Sequence, residues 1–113
     1  MKIDLYNKDC FEVFKQLSDQ SVDMVCVDPP YGTTSIEWDK TLDFKKMWKE
    51  LDRIMKPKSP IIIFGSQPFT SLVIASQVDW FRHELIWNKN KCGSPGLKIG
   101  RAVQQECRDD IVC

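Results

Sequence analysis

Net charge is the first thing this sequence lacks. Sixteen Lys and Arg residues stand against sixteen Asp and Glu, a formal charge of +0. That balance argues against a strongly basic nucleic-acid binder and against an acidic disordered tail. Histidine is nearly absent, His83 being the only one, and the five cysteines at positions 10, 26, 92, 107 and 113 include no CxxC pair. An odd count does not build the disulfide framework of an oxidising compartment, and a zinc site would have to gather ligands from the whole chain. Reduced, mostly buried thiols and no metal are therefore expected. No apolar run approaches the roughly 20 residues of a membrane span, and no apolar block follows the charged start as in a signal peptide. These absences lead us to expect a cytoplasmic protein. The G-x-x-x-x-G-K-[ST] phosphate loop is missing too, which excludes a nucleoside triphosphatase of that kind.

What is present is a chain of 113 residues, 42% hydrophobic, 28% charged and 11% aromatic. That suits one soluble globular domain. Two periods alternate along its first two-thirds. Lys2–Tyr6 reads as a short strand. Cys10, Val13, Phe14 and Leu17 then recur at i, i+3, i+4, i+7, one face of a helix, with Asp9 and Glu12 placed as in a capping box. Val22–Val27 is nearly continuous apolar sequence, as in a strand buried on both faces of a parallel sheet. Asp28-Pro29-Pro30-Tyr31-Gly32 ends it, since proline cannot donate to a central ladder.

A loop from Thr33 to Leu42 leads to the clearest helix. Phe44, Met47, Trp48, Leu51, Ile54 and Met55 share a stripe, Asp43 is available as N-cap, and Pro57 stops the run. Pro60–Phe64 is a further strand closed by Gly65, and Ser66 with Pro68 opens a helix to about Val78. His83–Trp87 is the last strand in this series. The order βαβαβαβ predicts an α/β fold, a partial Rossmann-like sheet of mostly parallel strands joined by right-handed crossovers. Residues 1–88 would form this core and 89–113 a basic loop and irregular tail. Residues 85–105 contain Lys89, Lys91, Lys98 and Arg101 and no acidic residue. The end, Arg101–Cys113, reads as weak helix or disorder.

In an open α/β sheet, ligands bind outside the carboxyl ends of the strands. Asp28-Pro29-Pro30-Tyr31 occupies such an end. The Asp28 carboxylate and the carbonyls of Pro29 and Pro30 are acceptors on a proline-stiffened turn, and Tyr31 adds a flat face for stacking. Together they suit an amino group on a planar heterocycle. The plainer alternative is a turn carrying a surface tyrosine, and the residues alone leave both open.

Asn7-Lys8-Asp9-Cys10, then Ser21-Val22-Asp23 through Val27 into Asp28-Pro29-Pro30-Tyr31-Gly32, resembles the amino-methyltransferases that modify DNA bases. The resemblance continues through Arg53-Ile54-Met55-Lys56-Pro57, Ile61-Ile62-Ile63-Phe64-Gly65-Ser66-Gln67-Pro68-Phe69-Thr70 and Glu84-Leu85-Ile86-Trp87-Asn88-Lys89. It covers about residues 3–97, in the order of the branch whose catalytic motif precedes its cofactor loop. Adenine-N6 methyltransferases of phage or restriction-modification type are the nearest in pattern, and this chain would be their N-terminal part.

The resemblance implies a set of roles. Asp28, Pro29, Pro30 and Tyr31 would form the catalytic motif, Asp28 and Pro29 accepting hydrogen bonds from the target amine and Tyr31 stacking on a base flipped out of double-stranded DNA. S-adenosyl-L-methionine would donate the methyl group, with Asp9, Cys10 and Asp28 on the cofactor side and no metal. Asp9 is equally explained as a helix cap, and Cys10 as a small buried hydrophobe. Asp at position 28 points to adenine N6; cytosine N4, RNA or a protein amide are the alternatives. Lys89, Lys91, Lys98 and Arg101 would meet DNA phosphates, or simply form a solvated loop.

One half of the family's pattern has no counterpart here. Glycine occurs only at 32, 65, 93, 96 and 100, so no Phe-x-Gly-x-Gly cofactor loop exists in the chain. A catalytically inactive remnant, or an incomplete subunit that binds DNA or a complementing chain, is therefore the second reading. A half sheet would expose a strand edge, which predicts weak stability alone and a tendency to form homo-oligomers.

Overall fold

The computed structural model describes residues 1–32, 37, 40, 42–88 and 108–112. Its elements in chain order are α1 (Cys10–Phe14), β1 (Val25–Val27), α2 (Phe44–Ile54), β2 (Ile61–Gly65), α3 (Phe69–Ser76), a single 3-10 turn (Val78–Trp80), β3 (Glu84–Asn88) and β4 (Arg108–Val112). They fall into two compact units. Met1–Val25 with Asp43–Pro60 make the first, and Cys26–Leu42 with Ile61–Cys113 the second.

The first unit is built on α2. Asp43 caps it as expected, its Oδ1 accepting from the Lys46 backbone N–H at 3.0 Å. The apolar stripe turns inward, with Met47, Leu51, Ile54 and the C-terminal Met55 all buried. Helix α1 is shorter than the sequence period suggests. After Phe14 the backbone tightens into i→i−3 bonds, Gln16 N–H to Val13 O and Leu17 N–H to Phe14 O. Arg53 explains the early end. Its guanidinium donates to the carbonyls of Phe14 (2.7 Å) and Leu17 (3.0 Å) while also pairing with Asp19 and Glu50. Side-chain hydrogen bonds from Asp19 and then Glu50 hold that guanidinium above its ordinary pKa. The orphan carbonyls of α1 thus find their donors on α2.

Two expectations fail in this unit. Lys2–Tyr6 forms no strand; Ile3 and Leu5 are 67% and 91% exposed. A strand exists only where a neighbour completes its ladder, and the described residues supply none for it. Cys10 is exposed rather than buried, at the start of a five-residue helix that has no buried residue.

The second unit is a four-stranded sheet of order β1-β2-β4-β3, with β1 parallel to β2. β4 runs antiparallel to both its neighbours, pairing Ile63 with Val112 on one side and Leu85 with Ile111 on the other. Three strands therefore share one direction, and the chain has the expected α/β Rossmann-like fold. The tail departs from expectation: Arg108–Val112 is a strand, not weak helix or disorder. It adopts that conformation by filling the gap between β2 and β3, where ladder partners wait on both edges. Helix α3 begins at Phe69 with Pro68 at the cap position, so Ser66 does not open it through a side-chain cap. Instead the Ser66 carbonyl accepts from Thr70 N–H. The helix also ends at Ser76, short of Val78.

Ile63, Phe69, Thr70, Val73 and Val112 form the core of this unit. Strand burial is lighter than the apolar sequence suggests. β1 lies at one side of the sheet, and Cys26 is exposed on it. β3 lies at the other, with Leu85, Ile86 and Trp87 each about half exposed. Among the described residues, no helix is long and apolar enough to cross a membrane. The Thr33–Leu42 loop lies mostly outside the described residues.

Candidate active site

Asp28 directly follows β1, and Gly65 is the last residue of β2. Because the two strands are parallel neighbours, the segments that leave them meet at one end of the sheet. The segment after β1 is short and stiff. Pro29 is buried, Pro30 and Tyr31 are half-buried, and Asp28 is exposed. Two fixed proline φ angles bring Tyr31 back onto Asp28, and the Tyr31 hydroxyl donates to Asp28 Oδ1 at 2.7 Å. Gly32 then turns the chain away with φ of 68°, a left-handed conformation that suits glycine.

The segment after β2 supports this turn. Phe69 opens α3, is 3% exposed, and stacks on the Tyr31 ring with centroids 5.0 Å apart and planes 29° from parallel. Gly65 makes room for that packing. A Cβ at position 65 would lie 2.8 Å from Thr70 Oγ1 and 3.3 Å from Phe69 Cδ1. The bare glycine, the buried Phe69, the half-buried Tyr31 and the exposed Asp28 thus form one continuous support. At its outer end stand a carboxylate and an aromatic ring held in fixed relation. Such a set can accept hydrogen bonds from an amine and stack against a planar ring.

Sequence reasoning placed Asp28, Pro29, Pro30 and Tyr31 together, and the structure does so. It missed Gly65, Phe69 and Thr70 as supports. A signal was available: residues after neighbouring parallel strands face one another, so an aromatic four residues beyond β2 should approach the turn after β1.

Asp9 and Cys10 belong to the first unit, whereas the Asp28–Tyr31 segment belongs to the second. Asp9 is a helix cap, its Oδ1 accepting from Phe11 N–H at 2.8 Å. The Cys10 thiol is held above its ordinary pKa, first by partial enclosure of the sulfur and second by the Asp9 carboxylate. At neutral pH it is a protonated thiol rather than a nucleophile. Lys89, Lys91, Lys98 and Arg101 lie outside the described residues. Among the described residues, no group of three or more His, Cys, Asp or Glu side chains is placed to hold a metal ion.

No protein-family model matches the chain. Individual relatives do. Type II methyltransferase M.HinfI of Haemophilus influenzae is 30% identical over 109 residues, covering 72% of this chain and 30% of the relative. Type II methyltransferase M1.MboII of Moraxella bovis is 29% identical over 114 residues, covering 90% and 43%. Among solved structures, TTHA0409 of Thermus thermophilus, described as a DNA modification methylase, superposes with a TM-score of 0.61 at 19% identity. That match covers 92% of this chain and 48% of the other. A second structure of the same protein, in complex with S-adenosyl-L-methionine, gives a TM-score of 0.57, also at 19% identity. The chain spans less than half the length of each of these curated relatives. In sequence the chain is therefore similar to type II methyltransferases over part of their length, and in fold it is similar to TTHA0409.

Proposed function

We propose that this chain is the catalytic-motif segment of a DNA methyltransferase that transfers a methyl group from S-adenosyl-L-methionine to the exocyclic N6 of adenine. The observation that carries the reading is the Asp28–Tyr31 turn at the carboxyl end of β1, its tyrosine backed by Phe69 and bonded to Asp28. The sequence similarity to type II methyltransferases supports the reaction class.

Two carboxylates, one in each unit, keep an oxygen to spare. Asp28 is exposed and commits one oxygen to Tyr31, which leaves Oδ2 as an acceptor. Asp9 caps α1 through Oδ1 and keeps its second oxygen. Asp9 and Cys10 would hold the adenosine side of the cofactor, and Asp28 would face its charged centre. When bound, S-adenosyl-L-methionine supplies an electrophilic methyl group on a sulfonium.

Everything else falls to the protein. Adenine's amine is a weak nucleophile because its lone pair is delocalised into the ring. Hydrogen bonds from that amine to Asp28 Oδ2 and to the Pro29 carbonyl favour a pyramidal nitrogen and stabilise the positive charge that develops on it. Tyr31 stacks on the flipped base and fixes its plane. The surplus amine proton leaves through the Asp28 carboxylate to water, which exposure of that side chain permits. Lys89, Lys91, Lys98 and Arg101 would neutralise phosphates of the double-stranded DNA.

The test is transfer of labelled methyl to unmethylated DNA by the purified chain, with Asp28→Ala beside it. Loss of about a hundredfold or more in the variant supports the reading. Methylation on cytosine rather than adenine would overturn the N6 assignment. The chain contains no Gly-x-Gly cofactor loop, and this favours a second reading, an incomplete subunit. Binding of DNA without methyl transfer, with transfer restored by a complementing chain, would select it.

A further inference from the structure

We infer that the Tyr31 hydroxyl is a positioning group for Asp28, a role distinct from the stacking of its ring; this rests on the methyltransferase reading above. The geometry divides the side chain into two working parts. The ring is held from behind by Phe69, at 5.0 Å between centroids. The hydroxyl reaches past the ring edge to Asp28 Oδ1 at 2.7 Å.

Asp28 needs such a guide. It is exposed, and the two prolines after it contribute no N–H that could orient its carboxylate. An exposed Asp side chain without a fixed donor samples several rotamers. A charge-assisted O–H···O bond selects one of them, occupies Oδ1, and turns Oδ2 outward. The amine of a bound base then meets a single acceptor in one orientation. Tyr31 is itself anchored by its stack on the buried Phe69 at the start of α3. The carboxylate is therefore registered against the sheet end rather than against its own flexible stem.

Tyr31→Phe separates the two parts, because it keeps the ring and deletes only the hydroxyl. The first readout needs no turnover: the α–β proton couplings of Asp28 by NMR. In the parent chain they should show one fixed rotamer, and in Tyr31→Phe they should average. The upfield shift that the facing ring imposes on the Phe69 ring protons should persist, which shows that the stack and the fold are intact. Averaged couplings in the parent, or unchanged couplings in the variant, would overturn the inference.

The second readout is the split between kcat and KM. Loss of a hydrogen bond to a charged group lowers kcat by about tenfold, while KM for DNA holds because the stacking face remains. An unchanged kcat would overturn the inference, and a raised KM with unchanged kcat would assign the hydroxyl to substrate binding instead. A parent chain that transfers no methyl counts against the proposed function alone, since the couplings still decide the positioning role.

Discussion

A single methyl group at position 65 tests the support beneath the candidate site. Gly65 adopts no positive φ, so alanine meets no backbone penalty there. Restricting the unfolded chain should by itself stabilise the protein by about 0.4–1 kcal/mol. Packing opposes this. The new Cβ would sit 2.8 Å from Thr70 Oγ1, 3.3 Å from Phe69 Cδ1 and 3.7 Å from Thr70 Cα. Thr70 is 0% exposed and Phe69 3%, so neither has open space to move into.

Overpacking of a filled core costs about 1–3 kcal/mol, and subtracting the entropic gain leaves a net loss of about 1.3 kcal/mol at the midpoints of the two ranges. The assay is urea unfolding of Gly65→Ala, in which the midpoint should fall at constant m. Thr70→Ala removes the closest atom, so the double variant should be more stable than the sum of the two single effects predicts. A neutral or stabilised Gly65→Ala would refute the argument, because it would mean that the strand-to-helix corner has slack.

Two further perturbations address other elements. Asp43→Ala removes the acceptor for Lys46 N–H and should cost about 1 kcal/mol in urea unfolding, whereas Asp43→Ser should retain most of the stability. The Cys10 thiol, held up first by enclosure and then by Asp9, should alkylate with a pH midpoint above that of an unfolded peptide of the same sequence. Asp9→Asn should lower that midpoint only part of the way, since the carboxylate is the smaller cause. By linkage, the raised value stabilises the fold below the ordinary thiol pKa, and this contribution is lost as pH rises through the folded one. A Cys10 midpoint at or below that of the peptide would contradict the assignment.

How far the sequence could be read depended on whether its signals were local. The α2 stripe and its Asp43 cap were legible because period and cap lie within a dozen residues. The Asp28–Tyr31 turn was legible because proline punctuates it. Phe69 was hidden because its partner is reached through space, and its neighbours Gln67 and Pro68 read only as a helix start. Lys2–Tyr6 misled in the opposite sense: alternation predicts that a segment could be a strand, whereas a ladder requires a second strand. The burial expected for Val22–Val27 failed for a related reason. Apolar sequence reports the preference of a strand, while its position in the sheet decides how much of it is covered. Arg108–Val112 carried too little pattern to be seen, and two waiting edges, not its own composition, make it a strand.

That arrangement also bears on the timing of synthesis. β4 lies between β2 and β3 in space but after both in the chain. As the polypeptide leaves the ribosome, Ile63 and Leu85 emerge long before Val112 and Ile111, their partners across the ladder. During that interval two apolar strands stand without their shared neighbour, and the contact that joins them is a long-range one, the slowest kind to form. Chaperone capture and edge mispairing compete in the same window. Translation paused upstream of Arg108 would therefore prolong that interval, and emergence of Arg108–Val112 would supply the strand that joins β2 to β3.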